Sequence, residues 1–198
     1  SQTLLKIPAP GVPDFYQGTE SWDFSLVDPD NRRPVDYERR KRLLDSLRDK
    51  GAGDLPSLAG DLLRSAPGGR IKMFVTTGAL KYRQNNRDLF ERGEYLPLQP
   101  AGERERHVVS FARKLGAKTA VVIATRFFMR LTSGAPVGRE AWGDTAVLMN
   151  DELAGCYRDV FTGKSVCARK RADGDRAGNE LPVAEAREHL PVALLERG

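Results

Sequence analysis

The stretch Pro10-Gly11-Val12-Pro13-Asp14-Phe15-Tyr16-Gln17-Gly18-Thr19-Glu20 decides how the rest of the chain is read. Pro10, Gly11 and Pro13 punctuate its start and Phe15-Tyr16 forms its apolar centre, a pattern that predicts a short buried strand. Gly18 lets the chain turn sharply out of that strand, because a residue without a side chain accepts positive φ. Beyond the turn come Gln17, Thr19, Glu20, Trp22 and Asp23. A short apolar run, Phe24 to Val27, leads to a second polar cluster, Asp28 to Arg33. Carboxylates, amides and arginine forks bind hydroxyl groups, and rings such as Tyr16 or Trp22 offer stacking faces, so a sugar site fits these residues. A strand end followed by a solvated loop fits them as well.

Outward from this stretch, Ser1 to Ile7 reads as the end of a helix stopped by Pro8 and Pro10. The chain starts without Met inside that helix, and is read as a piece of a longer protein. Downstream, Asp36 caps a helix whose apolar face holds Leu43, Leu44 and Leu47, preceded by Tyr37 and Arg40 at the same spacing. Leu58, Leu62 and Leu63 mark a short helix, with Ser57 as its cap. Ile71, Phe74, Val75, Gly78, Ala79 and Tyr82 mark the strongest helix, Ile71 to about Arg87, and Gly78 on that stripe points to a close approach by another element.

Near Arg92-Gly93 the pattern changes to short β-branched and aromatic runs between turns. Strands are predicted at 94–98, 107–113, 119–125, 145–149, 157–161, 165–168 and 190–195. Hairpin turns fall at Leu115-Gly116-Ala117-Lys118 and Thr162-Gly163-Lys164. Pro191 suits an edge position for the last strand. The polar segment from Lys170 to Glu180 reads as a mobile loop. Strands at this spacing without intervening helices indicate an antiparallel sandwich.

A net charge of +5 raises the question of nucleic acid, but acids interleave the basic residues of 36–49, which is the pattern of a solvated helix face. No apolar run approaches a membrane span. Cys156 and Cys167 flank a hairpin; they fit free thiols in a reducing compartment, and a disulfide stays open. No cluster of metal-ligand spacing is present. His107 and His189 read as structural. Trp142 reads as inter-sheet core, with a surface sugar platform as its alternative.

Gly11 to Glu20 resembles the last barrel strand and turn of the α-amylase superfamily, Gly-x-Pro…Tyr-x-Gly-x-Glu. The run Leu26-Val27-Asp28-Pro29-Asp30-Asn31-Arg32-Arg33-Pro34-Val35-Asp36-Tyr37 is narrower and resembles the maltooligosyltrehalose synthase family. Gly93-Glu94-Tyr95-Leu96-Pro97-Leu98, His107 to Arg113, Trp142-Gly143-Asp144-Thr145 and Leu190 to Leu195 carry the resemblance to the end of the chain. It departs at Thr125-Arg126-Phe127, where the family has Pro-Arg-Leu.

The resemblance implies an α+β fragment: the last strand and covering helices of a (β/α)8 TIM barrel at 1–92, then an antiparallel β-sandwich domain at 93–198. It implies part of an intramolecular transglucosylase that converts the reducing-end α-1,4 bond of a maltooligosaccharide to an α,α-1,1 bond. A different α-amylase-type glucanotransferase or glucosidase and a non-catalytic carbohydrate-binding module are the alternatives.

Retaining glycoside chemistry needs two carboxylates, and no segment here matches the family's catalytic motifs. No catalytic residue is therefore assigned, and the fragment alone is expected to be inactive. Loops after barrel strands emerge on the catalytic face, which makes Gln17, Glu20, Asp30, Asn31, Arg32 and Arg33 the substrate-binding or site-bracing candidates. For Arg32 and Arg33 a salt bridge that only shapes the loop fits equally. The implied partners are a maltooligosaccharide and the remainder of the barrel. No cofactor, metal, nucleic acid or membrane is implied, and the location is cytoplasmic.

Overall fold

The structure is a computed structural model and describes residues 1–51, 53–131, 134–171 and 178–198. Five helices come first: α1 (Gln2–Lys6), α2 (Tyr37–Gly51), α3 (Leu55–Arg64), α4 (Arg70–Asn85) and α5 (Arg87–Arg92). The strands then begin with β1 (Glu94–Pro97), β2 (Pro100–Ala101), β3 (Val108–Leu115) and β4 (Lys118–Thr125). Short helices α6 (Phe128–Leu131) and α7 (Gly138–Trp142) follow. After them come β5 (Ala146–Met149), β6 (Cys156–Asp159), β7 (Ser165–Cys167), β8 (Arg169–Lys170), β9 (Asn179–Pro182), α8 (Val183–Ala186) and β10 (Val192–Arg197). The loop predicted between Lys170 and Glu180 lies mostly outside the described residues.

One sheet has the order β1-β3-β4-β10-β6-β7 and the other β2-β5-β9-β8, with antiparallel pairing throughout. β3 and β4 pair from Val108↔Thr125 to Leu115↔Lys118 around the predicted Gly116-Ala117 turn. Alternation along β4 then defines two cores, because successive side chains point to opposite faces. Ala120, Val122 and Ala124 join Phe111, Val192 and Leu194 against Leu62, Ile71, Ala79 and Leu89 of the helices. Val121 and Ile123 join Ala193 and Leu195 against Val147, Leu181 and Trp142 on the side of the smaller sheet. The larger sheet is thus sandwiched between helices and a second sheet, which is why β4 reads as an uninterrupted apolar run.

Helix α4 carries the predicted stripe, with Ile71, Val75, Ala79 and Tyr82 buried. At Gly78 a Cβ would stand 3.1 Å from the Phe161 ring, so the glycine admits a close approach by the β6–β7 turn. The cap of α3 is Asp54, whose carboxylate accepts from the Ser57 amide at 3.4 Å, and not Ser57 itself.

Three further expectations are corrected. Residues 11–16 form no strand and pair with none among the described residues; Tyr16 is exposed and Phe15 only half-buried. A barrel strand needs parallel neighbours, and none lies beside it among the described residues. Arg83 holds the segment instead, donating to the Ile7 and Gly11 carbonyls, the latter at 2.6 Å. Next, β10 is central, between β4 and β6. Pro191 precedes its first residue, so no ladder donor is lost. Finally, Cys156 and Cys167 are exposed and bonded to each other. They stand directly opposite on β6 and β7, where facing side chains come within bonding reach.

Asp159, at the end of β6, is almost fully buried, and burial pushes its carboxyl up to about 6 despite hydrogen bonds from the Thr162 hydroxyl and the Phe161 amide. The native state therefore holds this proton more tightly than the unfolded chain. That stabilisation is complete below the unfolded value of about 4 and is lost as pH rises through 6. Asp159→Asn keeps an acceptor without the charge. Its urea-derived stability, matched to wild type near pH 4, should exceed wild type by roughly 2 kcal/mol at pH 7.5.

Candidate functional site

The segment from Gln17 to Asp36 forms a long excursion between α1 and α2, and it divides the predicted site residues into two groups. The first is gathered at the Gly18 turn. Gly18 has φ +88°, and a Cβ there would stand 3.1 Å from Val35 and 3.4 Å from the Arg40 guanidinium, so both space and backbone favour glycine. Arg40, on the first turns of α2, donates to the Gly18 carbonyl at 2.7 Å, to the Glu20 carboxylate at 3.0 Å and to the Asp36 carbonyl at 3.1 Å. Gln17 accepts a hydrogen bond from the Tyr37 hydroxyl at 3.3 Å. The Asp36 carboxylate accepts from the Arg39 amide at 2.8 Å, starting α2 as its sequence predicts. One helix end thus fixes Gln17, Gly18 and Glu20.

The second group is a short 3₁₀ turn, Asp30–Arg32, and it is braced internally. The Asp30 carboxylate accepts from the Leu26 amide at 2.8 Å and pairs with Arg33. Arg32 donates to Asp28 at 2.6 Å. Asp28, Arg32 and Arg33 are exposed and Asp30 is half-buried, so both pairs mainly shape the loop and contribute little stability. Asn31 is half-buried, and its side-chain oxygen is enclosed without a hydrogen-bond partner among the described residues. No hydrogen bond or ion pair joins this group to Glu20 among those residues.

Beside the first group stand Trp22 and Asp23, which the sequence placed after the turn, and Lys72, which it placed only on the wetter face of α4. Trp22 donates its indole N–H to the Ala66 carbonyl at 2.7 Å. Lys72 on α4 donates to the Ser21 carbonyl at 3.1 Å. Burial, then the neighbouring Lys6, lowers the Lys72 ammonium below the usual lysine range, while Asp23 and Glu20 oppose the shift. The Asp23 carboxyl is held below its usual value by hydrogen bonds from the Ser25 hydroxyl and amide, at 2.6 and 2.9 Å. Arg40 was legible only as a member of the α2 stripe, since its partners lie some twenty residues away in sequence.

Replacing Arg40 with Met should leave α2 formed and cost about 1–2 kcal/mol, because a partly buried carbonyl and carboxylate lose their donor. Amide hydrogen exchange should show Gly18 to Glu20 opening faster while the α4 amides keep their protection.

Two features read as structural hold that place. Trp142 is fully buried, with its indole N–H donating to the Pro136 carbonyl at 2.9 Å, which removes it as a surface platform. His107 contacts the Arg126 carbonyl at 3.3 Å and meets the Phe127 ring edge-on. Among the described residues no group of three or more His, Cys, Asp or Glu side chains is placed to hold a metal, and no helix is long and apolar enough to cross a membrane.

The fold is shared with an Anoxybacillus α-amylase, at TM-score 0.52 and 16% identity over 98% of this chain and 31% of that one, a likeness of fold alone. The closer likeness is to maltooligosyltrehalose synthases, and it runs along nearly the whole chain. A Mycobacterium tuberculosis protein with the provisional name maltooligosyl trehalose synthase is 34% identical over 194 residues, 98% of this chain. The structure of maltooligosyltrehalose synthase from Arthrobacter ramosus matches 99% of the chain and 21% of its own, at 35% identity and TM-score 0.71. The chain spans about one fifth of the length of the curated relatives it matches. No family model matches it.

Proposed function

We propose that the chain is the C-terminal portion of an intramolecular transglucosylase, which turns the reducing-end α-1,4 bond of a maltooligosaccharide into an α,α-1,1 bond. The observation that carries this reading is the similarity to maltooligosyltrehalose synthases over 98–99% of the chain at 34–35% identity. In this reading residues 1–92 close a (β/α)8 barrel, and residues 93–198 form a β-sandwich domain fused to it. Gln17, Glu20, Asp30, Asn31, Arg32 and Arg33 brace the sugar end of the site, and the catalytic carboxylates come from barrel strands outside this chain. The rest of that barrel and the glucan are its partners in the cytoplasm.

Mutase chemistry must keep water out while the released glucose turns over and presents its 1-hydroxyl to the covalent intermediate. A loop pinned at Gly18 by Arg40 and braced at Asp30 by its own backbone is suited to wall such a pocket.

The test is product analysis. The longer protein containing this chain should convert maltopentaose to a product with an α,α-1,1 linkage by NMR, and the 198-residue chain alone should yield none. Trehalosyl ends made by the isolated chain would contradict the assignment of roles. The second reading, a glucosidase or glucanotransferase, would instead release glucose or transfer it with the reducing end intact.

A further inference from the structure

Trp22 differs from the other tryptophan in being both fixed and open. Its indole N–H is tied to the Ala66 carbonyl. Gly69, at φ +79°, backs onto it so closely that a Cβ there would stand 3.1 Å from the Trp22 backbone nitrogen and 3.4 Å from ring carbon Cδ1. The Lys72 ammonium lies 5.6 Å from the ring centroid. With its ring so restrained, Trp22 still exposes 43% of its surface, whereas Trp142 exposes none. Lys72 in turn lies within electrostatic reach of the Asp23 and Glu20 carboxylates, and Asp23 within reach of Arg40. The Asp23 carboxylate would lie 3.8 Å from a Cβ at Gly18, next to the Arg40 guanidinium.

A pyranose presents an apolar C–H face ringed by hydroxyls that both give and accept protons. A pre-oriented aromatic plane bordered by donors and acceptors complements it at low entropic cost.

We propose that Trp22 is a stacking platform for one glucosyl unit of a maltooligosaccharide, with Lys72 and Asp23 taking its hydroxyls. The proposal rests on the glucan-acting reading above and names where this portion itself holds the sugar.

The ¹⁵N-labelled chain carries two tryptophans and so two indole N–H signals. On titration with maltopentaose the Trp22 signal should shift saturably, with half-saturation in the millimolar range, while the Trp142 signal stays in place. The Trp22 signal is identified by its loss in Trp22→Ala, or by its faster solvent exchange if that variant does not fold. Lys72→Gln, which leaves the tryptophan in place, should raise the half-saturation concentration at least threefold. No movement of Trp22, or movement of both signals that sorbitol reproduces, overturns the proposal. A longer protein that forms α,α-1,1 links while its Trp22 signal stays still removes this proposal alone. A shifting Trp22 in a protein that releases glucose keeps the platform and removes the mutase reading.

Discussion

Arg113→Met should destabilise the chain by about 3 kcal/mol or more. Arg113 sits on β3 at 2% exposure. Its guanidinium donates to the Pro8 carbonyl at 2.9 Å, the Gly93 carbonyl at 2.8 Å and the Phe90 carbonyl at 3.0 Å. Burial lowers its pKa, and so does the nearby Arg83. Met fills much of the stem's volume but leaves three backbone acceptors without a donor, each costing on the order of 1–3 kcal/mol when enclosed. These acceptors lie at the end of α1, the end of α5 and the entry to β1, so one side chain ties the helical part to the sheet. Urea unfolding should show the shift at an unchanged slope. A loss below about 1 kcal/mol would mean that water reaches those carbonyls and the helices are not seated on β3 as described.

Gly93→Ala should have a comparable effect for a different reason. Gly93 has φ −68°, which any residue adopts, so its backbone needs no glycine. Space does: a Cβ there would overlap the Leu89 carbonyl oxygen and stand 3.0 Å from the Lys114 carbonyl. Both neighbours are backbone, and neither can rotate away. The Leu89 carbonyl also accepts the Gly93 amide at 3.1 Å to close α5. Relief requires α5 and β1 to separate, at roughly 2–4 kcal/mol. Thermal unfolding should show a drop of many degrees for Gly93→Ala and little change for Gly68→Ala, where a Cβ would meet nothing within 4 Å. A wild-type midpoint for Gly93→Ala would show that the junction has slack.

What the sequence made legible was whatever depends on local pattern. The β3–β4 hairpin followed from its turn residues and from two flanking β-branched runs. Helix α4 followed from a stripe sustained over three turns, and Gly78 was visible as the gap in that stripe. The segment 11–16 shows the limit: its residues satisfy a strand pattern, but a strand forms only where a partner backbone pairs with it, and none does among the described residues. Pro191 misled because its position one residue outside β10 is decided by register and not by composition. Cys156 and Cys167 could be placed on either side of a hairpin, but only the register of β6 on β7 sets them face to face. At the site, Gln17 and Glu20 were legible as polar groups after a glycine turn. Arg40, which holds Glu20 and Gly18, was not, because side-chain contacts across a loop leave no periodic signal. The Asp28–Arg33 cluster was legible as polar, and its own pairings account for Asp30, Arg32 and Arg33 but not for Asn31.

The central claim is that the bend after Tyr16 faces a bound glucan. It is tested most directly by photolabelling the longer protein with a maltooligosaccharide bearing a reactive group at its reducing end. Adducts that unlabelled maltopentaose suppresses should map to residues 16–40. Suppressible adducts confined to residues 93–198, with none on that loop, would contradict it.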